Sequence, residues 1–455
     1  MLPWPKAAAE ALTRRWPVLL LALGVLLAYA NAFDAAFQFD DWDVLVEEPR
    51  VHSLAAWWDS MPGMRPLLKL SYALDHAAGG TPAIFHRANV LIHLANVLLV
   101  LWLVQQLATR SGRLPREAAI IAITTATIFA LHPVQTEAVT YVSGRSTSLS
   151  TGLALAGIAV WLAWRGRLAV TVSVVLMLAA IAVKETAVVM PAALLLCRAF
   201  ARESPPRPIA AHWLTLVVAV VALLLLPAYQ RFFASSLATR SLADNLVAQV
   251  DAVGWLIGQL IRFDRLNADP ALVPVAALDP GSAAFSIALL ALIVAALIGW
   301  RRAPLAAFAV LWTVLWLLPT NSLIARLDLV NERQWYGALL GPALLAGLVL
   351  ARWSAQSPRL AIAAIAVLAL GLGAATHFRN RVYASEIAFW SDVVAKSPHN
   401  ARAYNNLGIA YQADCRLEDA GEAYRRALML QPNFVRAAVN LKLIADGPPA
   451  TGCAP

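Results

Sequence analysis

Eleven apolar runs divide this chain, each long enough, or nearly so, to cross the ~30 Å of hydrocarbon in a bilayer. They lie at 16–33, 84–107, 118–132, 149–164, 168–183, 186–200, 213–228, 282–299, 303–320, 336–351 and 358–375. Lipid offers no partner for backbone N–H and C=O groups, so each run must satisfy its own, as a helix does. The composition agrees: 60% of the 455 residues are apolar and only 14% are charged, and the mean hydropathy of +0.65 lies outside the range of soluble domains. The fold class is therefore all-α, a polytopic helical membrane protein with about 11 transmembrane helices. The first run follows "KAAAEALTRRW", with no persuasive small-residue cleavage site after it, and reads as a retained first helix.

The net charge of +9 would suit nucleic acid only if it lined one polar face. Here it sits in short clusters between apolar runs, so no nucleic-acid partner is expected and the excess reports topology. One set of connecting segments carries Lys6, Arg14, Arg15, Arg110, Arg113, Arg116, Arg165, Arg167, Arg198, Arg202, Arg207, Arg301, Arg302, Arg352 and Arg359 against three acids, Glu10, Glu117 and Glu203. That set is cytoplasmic by the positive-inside rule, and with it the N-terminus. The alternate set faces out: the loop at 34–83, "HPVQTEAVTYVSGR", "KET", the segment 229–281, "ARLDLVNERQWY" and everything after the last span. Both flanks of 246–263 are then outside, and this apolar stretch, broken by Asp251 and Arg262, reads as a re-entrant or interfacial helix. Residues 1–380 form the membrane domain, 381–446 a separate module and 447–455 a disordered tail.

The module opens at Ala401 with "ARAYNNLGIAYQADCRLEDAGEAYRRALMLQPNF", which resembles a tetratricopeptide repeat in Leu407, Gly408, Tyr411, Ala420, Tyr424, Ala427 and Pro432. "EIAFWSDVVAKSPHN" reads as the second helix of a preceding repeat and "VRAAVNLKLI" as the first helix of a following one. Cys415 stands where such repeats usually place a turn glycine. About three repeats are normally needed for stability, so this short array must pack on the membrane domain or on a partner. As a docking surface it would offer Tyr404, Asn405 and Tyr411 to a protein acceptor; as a helical cap it would merely stabilise the outer face. The three cysteines, Cys197, Cys415 and Cys453, have no metal-ligand spacing, and a Cys415–Cys453 bridge would require an oxidising compartment.

The outer loop contains "FQFDDWD", with three carboxylates in four residues. Taken alone, it reads as a hydrated loop with helix-capping acids. Beside Phe39 and Trp42, however, a carboxylate would be partly desolvated and thereby a better base. Other outer segments carry Arg65 and Lys69; His86, Asn89, His93 and Asn96 at i, i+3, i+7 and i+10 of one helix; His132, Glu137 and Arg145; Lys184 and Glu185; and Glu332 and Arg333. Ionisable groups at a bilayer are costly and seldom idle. Cations facing a carboxylate across one cavity suit transfer from an anionic lipid-linked donor, with the cations holding the leaving phosphate and the carboxylate taking a hydroxyl proton.

The order "FDD", "RPLLKLSYALD", "FHRANVLIHLANVLL", "FALHPVQTEAVTYVSGRS", "KET" and then tetratricopeptide repeats resembles the bacterial relatives of the transmembrane and tetratricopeptide-repeat-containing protein O-mannosyltransferases, of the GT-C class. The resemblance implies a first outer loop with an acidic pair whose first member is the catalytic base, here Asp40 with Asp41 in support, and surface helices over 60–80. Gln135 departs from it, standing where many relatives carry a second histidine.

The expected reaction moves a sugar from a polyprenyl-phosphate donor to a Ser or Thr hydroxyl of a secreted or pilin-like protein on the periplasmic face of a bacterial inner membrane. One inverting displacement is expected, with Arg145, Lys184, Arg333 and Arg65 at the phosphate and His86, His93, His132, Glu137 and Glu185 in support. The lipid-linked sugar enters as donor substrate, and the sequence marks no certain cofactor. A divalent metal bridging Asp40 and Asp41 is conceivable, but no ligand spacing supports it. The competing readings are a lipid or glycan acceptor, a transporter or flippase, and a membrane scaffold for the repeat.

Overall fold

The computed structural model describes residues 6–200, 208–275, 277–322 and 324–446, with only the backbone of 6–15 and 355. The expected disordered tail at 447–455 lies outside them. Among the described residues every regular element is a helix and no strand occurs.

Six helices among the described residues are long and apolar enough to cross a membrane: Trp16–Asp34, Pro82–Arg110, Val142–Ala163, Gly166–Val183, Pro280–Gly299 and Pro358–Tyr383. Three bent pairs bring the number to nine: Pro115–Leu131 with Pro133–Val139, Ala210–Leu225 with Pro227–Thr239, and Glu332–Ala338 with Leu340–Ser354. The other two expected spans are shorter helices, Met190–Arg198 of 9 residues and Pro304–Leu317 of 14. At 1.5 Å per residue neither alone crosses the hydrocarbon. The helix Leu242–Gln259 is not among the spans, and its buried Ala248, Ala252 and Leu256 pack on Leu329, Val330 and Trp335.

Proline explains the bends, because it removes a backbone donor and frees the carbonyl four residues earlier. Pro133 frees the Phe129 carbonyl, which lies 3.3 Å from the Gln135 side-chain amide. Gln135 thus has a structural task at the position where the sequence departs from its resemblance. Pro342 likewise frees the Ala338 carbonyl, which Thr313 Oγ1 reaches at 3.4 Å, while Trp312 Nε1 takes the neighbouring Gly337 carbonyl at 2.9 Å.

The core lies where Pro82–Arg110, Pro115–Leu131, Arg145–Ala163 and Leu340–Gln356 meet, around Val97, Leu103, Ala122, Ile158 and Leu344. Pro280–Gly299 does the opposite, turning Ile287, Leu290 and Ile298 outward, as a lipid-facing helix does.

The C-terminal module stacks Glu386–Lys396, Ala401–Ala413, Leu417–Leu430 and Val435–Asp446. A Cβ on Gly408 would meet the Tyr424 ring at 2.5 Å. Cys415 has φ +60, a left-handed backbone that explains the usual glycine. It is disulfide-bonded, whereas Cys453 lies outside the described residues. Phe389, Trp390, Val393, Ala403 and Leu407 form one buried cluster with Ala35 and Tyr141 of the membrane domain. Arg402 pairs with Asp269 and Asp328, and Asn267 donates to Ser397 at 2.8 Å. The module is therefore seated on Ala35, Tyr141 and the segments that carry Asn267, Asp269 and Asp328.

Candidate functional site

Two adjacent aspartates take opposite surroundings because of the backbone before them. Phe39 is left-handed, with φ +43, a conformation that a bulky residue adopts only where its surroundings enforce it. Beyond that turn Asp41 points inward and is fully buried. Its Oδ1 accepts the Ser143 backbone N–H at 2.7 Å and hydroxyl at 2.5 Å, and its Oδ2 accepts the Gln38 N–H at 3.0 Å. Burial pushes its carboxyl up to about 7, against the pull of these three donors. Asp40 faces the other way. Its N–H donates to Tyr141 Oη at 2.9 Å, its side chain is 39% exposed, and its Oδ2 lies 3.9 Å from the Arg333 guanidinium.

Arg333 is set by its neighbours. Its backbone N–H donates to Glu137 Oε2 at 2.9 Å, its Nε lies 3.5 Å from Glu137 Oε1, and its guanidinium sits 5.7 Å from the centre of the Tyr141 ring. Glu137 is buried, so this cation is its principal compensation. Arg65 grips Glu185 through Nε and Nη2, at 3.1 and 2.9 Å, and Glu185 also accepts the Tyr229 hydroxyl at 2.7 Å. Lys184 donates to Thr147 Oγ1 at 2.5 Å.

These cations share one electrostatic neighbourhood. The Lys184 ammonium is pushed well below its usual range, first by burial and then by Arg333, Arg65 and Arg326. Arg326 is brought down to about 10 by burial and by Arg333. Lys184 and Arg326 are the two that fall; Arg65 and Arg333, despite burial, are held up by Glu185 and by Glu137, so the group is a mixed cluster of four cations and their carboxylates. Arg326, 3.0 Å from Asn331 Oδ1, was missed from sequence because nothing in "ARLDLVNERQWY" distinguishes it from a loop arginine.

Other expected site residues stand apart. Arg145 is buried and fully engaged: with Asn89 Oδ1 at 2.6 Å, the Phe85 carbonyl at 2.9 Å, the Ser71 carbonyl at 3.2 Å and Asp75 at 2.6 Å. It clamps the surface helix Pro66–Ala77 to Pro82–Arg110 and offers no donor to a phosphate. The histidines are likewise spent on packing. His86 reaches the Ala35 carbonyl at 3.0 Å, His93 bridges Tyr336 Oη and the Ala130 carbonyl at 2.8 and 3.0 Å, and His132 meets the Leu260 carbonyl at 3.1 Å.

In the module, Asn405 is buried and accepts from Asn440 at 3.2 Å, so it is an internal link. Tyr404 and Tyr411 remain half-buried, lining a cleft with Glu422, Arg426 and Met429. Among the described residues no three His, Cys, Asp or Glu side chains are grouped to hold a metal.

Residues 401–434 match the tetratricopeptide repeat family. The chain is 34% identical over 141 residues to protein O-mannosyl-transferase TMTC2 of Mus musculus, covering 28% of this chain and 16% of that protein. It is 31% identical over 191 residues to protein O-mannosyl-transferase Tmtc1 of Drosophila melanogaster, covering 37% and 21%. The chain is related to the TMTC proteins. A third relative is protein O-mannosyl-transferase TMTC4 of Homo sapiens, at 28% identity over 160 residues, 30% of this chain and 21% of that protein. The match thus spans only about a sixth to a fifth of the length of these TMTC relatives. No solved structure matches the chain.

Proposed function

We propose that the chain is an integral membrane glycosyltransferase that moves a sugar from a polyprenyl-phosphate donor to a Ser or Thr hydroxyl of an exported protein. The observation that carries this reading is the half-exposed Asp40 carboxylate, 3.9 Å from Arg333 and beside a cluster of further cations. The names of the relatives, protein O-mannosyl-transferases, support a hexose and a protein acceptor.

In this mechanism the acceptor hydroxyl gives its proton to Asp40 while its oxygen bonds to the anomeric carbon. The bond from that carbon to the phosphate oxygen breaks, and the polyprenyl phosphate leaves with its charge held by Arg333, Lys184, Arg65 and Arg326. One displacement inverts the anomeric centre. Asp41, Glu137 and Glu185 are not placed as nucleophiles, since Asp41 is buried on Ser143 and the two glutamates are held by arginines. The positive-inside pattern supports a periplasmic site in a bacterial inner membrane, with the module on the same side.

The intact masses of exported proteins, compared between cells with and without this chain, test the proposal. A hexose-sized loss on one or more of them is expected. Unchanged masses throughout the exported set, in cells where the protein is made and inserted, would contradict it.

A further inference from the structure

We propose that the first helix of the C-terminal module is part of the catalytic apparatus, with Trp390 as the positioning residue that fixes the Asp40 carboxylate. The inference rests on the reading of Asp40 as the base. Three residues around Asp40 are held by the stretch 383–402, which runs from the end of the span Pro358–Tyr383 into the module. Gln38 donates its side-chain amide to the Tyr383 carbonyl at 3.0 Å. The Phe39 ring meets the buried Trp390 edge to face, with ring centres 5.2 Å apart at 89°, and the Arg402 guanidinium lies 5.9 Å from the same ring. Trp42 Nε1 donates to Glu386 Oε1 at 2.9 Å.

Phe39 is also where the backbone turns left-handed, and a non-glycine residue stays there only when contacts on its side chain over-determine it. Trp390 and Arg402 supply those contacts, with Arg402 itself anchored by Asp269 and Asp328. If Phe39 returned to an ordinary φ, Asp40 would swing away from Arg333 and from Tyr141 Oη. The module therefore holds the base.

The test uses the full chain in membranes with labelled lipid-linked sugar and acceptor, comparing Trp390→Ala, Trp390→Phe and Asp40→Asn. A displaced base costs turnover and spares donor binding. Trp390→Ala is expected to lower kcat about tenfold or more with donor KM within about twofold, and Trp390→Phe, which keeps an aromatic edge, to recover most of it. Full kcat in folded Trp390→Ala overturns the proposal, as does a loss matched by an equal rise in donor KM or one that Trp390→Phe leaves unmended. Should Trp390→Ala not fold, Trp42→Phe decides on the partly exposed side of the loop: a fall in kcat of about threefold or more at unchanged donor KM supports the proposal, and wild-type kcat overturns it. If Asp40→Asn is itself active, the assignment of the base fails, a result separable from the failure of Trp390 alone.

Discussion

Ser143 gives both its backbone N–H and its hydroxyl to one oxygen of Asp41, at 2.7 and 2.5 Å, tying the acidic loop to a residue 102 positions further along the chain. The pair separates two adjacent acids into an anchor and a free carboxylate.

The anchor has a pH signature. Burial raises the folded-state value of Asp41 from 3.8 to about 7. Its contribution to stability is therefore fully present below about pH 4 and is lost as the pH rises through about 7. Thermal unfolding in detergent should show stability falling over that window, with a shallower slope in Asp41→Asn. The variant should also lose about 1–3 kcal/mol, because an amide N–H₂ would face donors. An identical slope in the two proteins would contradict the account.

Arg145 makes a different prediction from its neighbours in sequence. Its partners are Asn89, Ser71, Phe85 and Asp75, so Arg145→Ala leaves Asp75 without its cation and should cost about 3–5 kcal/mol. Arg145→Lys that still folds should keep wild-type donor KM, as a steady-state assay over donor concentration would read. A selective rise in donor KM would return Arg145 to the phosphate site.

Donor binding should take up a proton at Lys184. In the free protein, burial and then Arg333, Arg65 and Arg326 hold its ammonium well below the usual range, and a bound phosphate opposes that depression. Calorimetric titrations in buffers of different ionisation enthalpy should give different apparent heats over the pH window between the two values. Lys184→Met should remove the difference, whereas buffer-independent heats for the wild-type protein would contradict the assignment.

Local periodicity made the helical class and the repeat module readable. Leu407, Gly408 and Tyr424 stand at offsets that only a packed helix pair explains, and the left-handed turn at Cys415 is where a glycine was expected. Long-range pairing was not readable. Arg145 and Arg333 look alike beside polar motifs, and only the fold spends one on Asn89 and Phe85 and leaves the other beside Asp40. The stripe of His86, Asn89, His93 and Asn96 does share one face, yet that face meets carbonyls, Tyr336 and Arg145 instead of Asp40. The two spans lost from the count fell to length, since Met190–Arg198 is a 9-residue helix in a run that reads as continuous.

The central claim is that Asp40 takes the proton from the acceptor. Its most direct test is transfer of labelled sugar by Asp40→Asn in membranes, with insertion and folding checked alongside. Removal of a general base predicts a loss of about 10²-fold or more in kcat with donor KM little changed. Transfer at close to the wild-type rate by a folded, inserted Asp40→Asn protein would contradict the account.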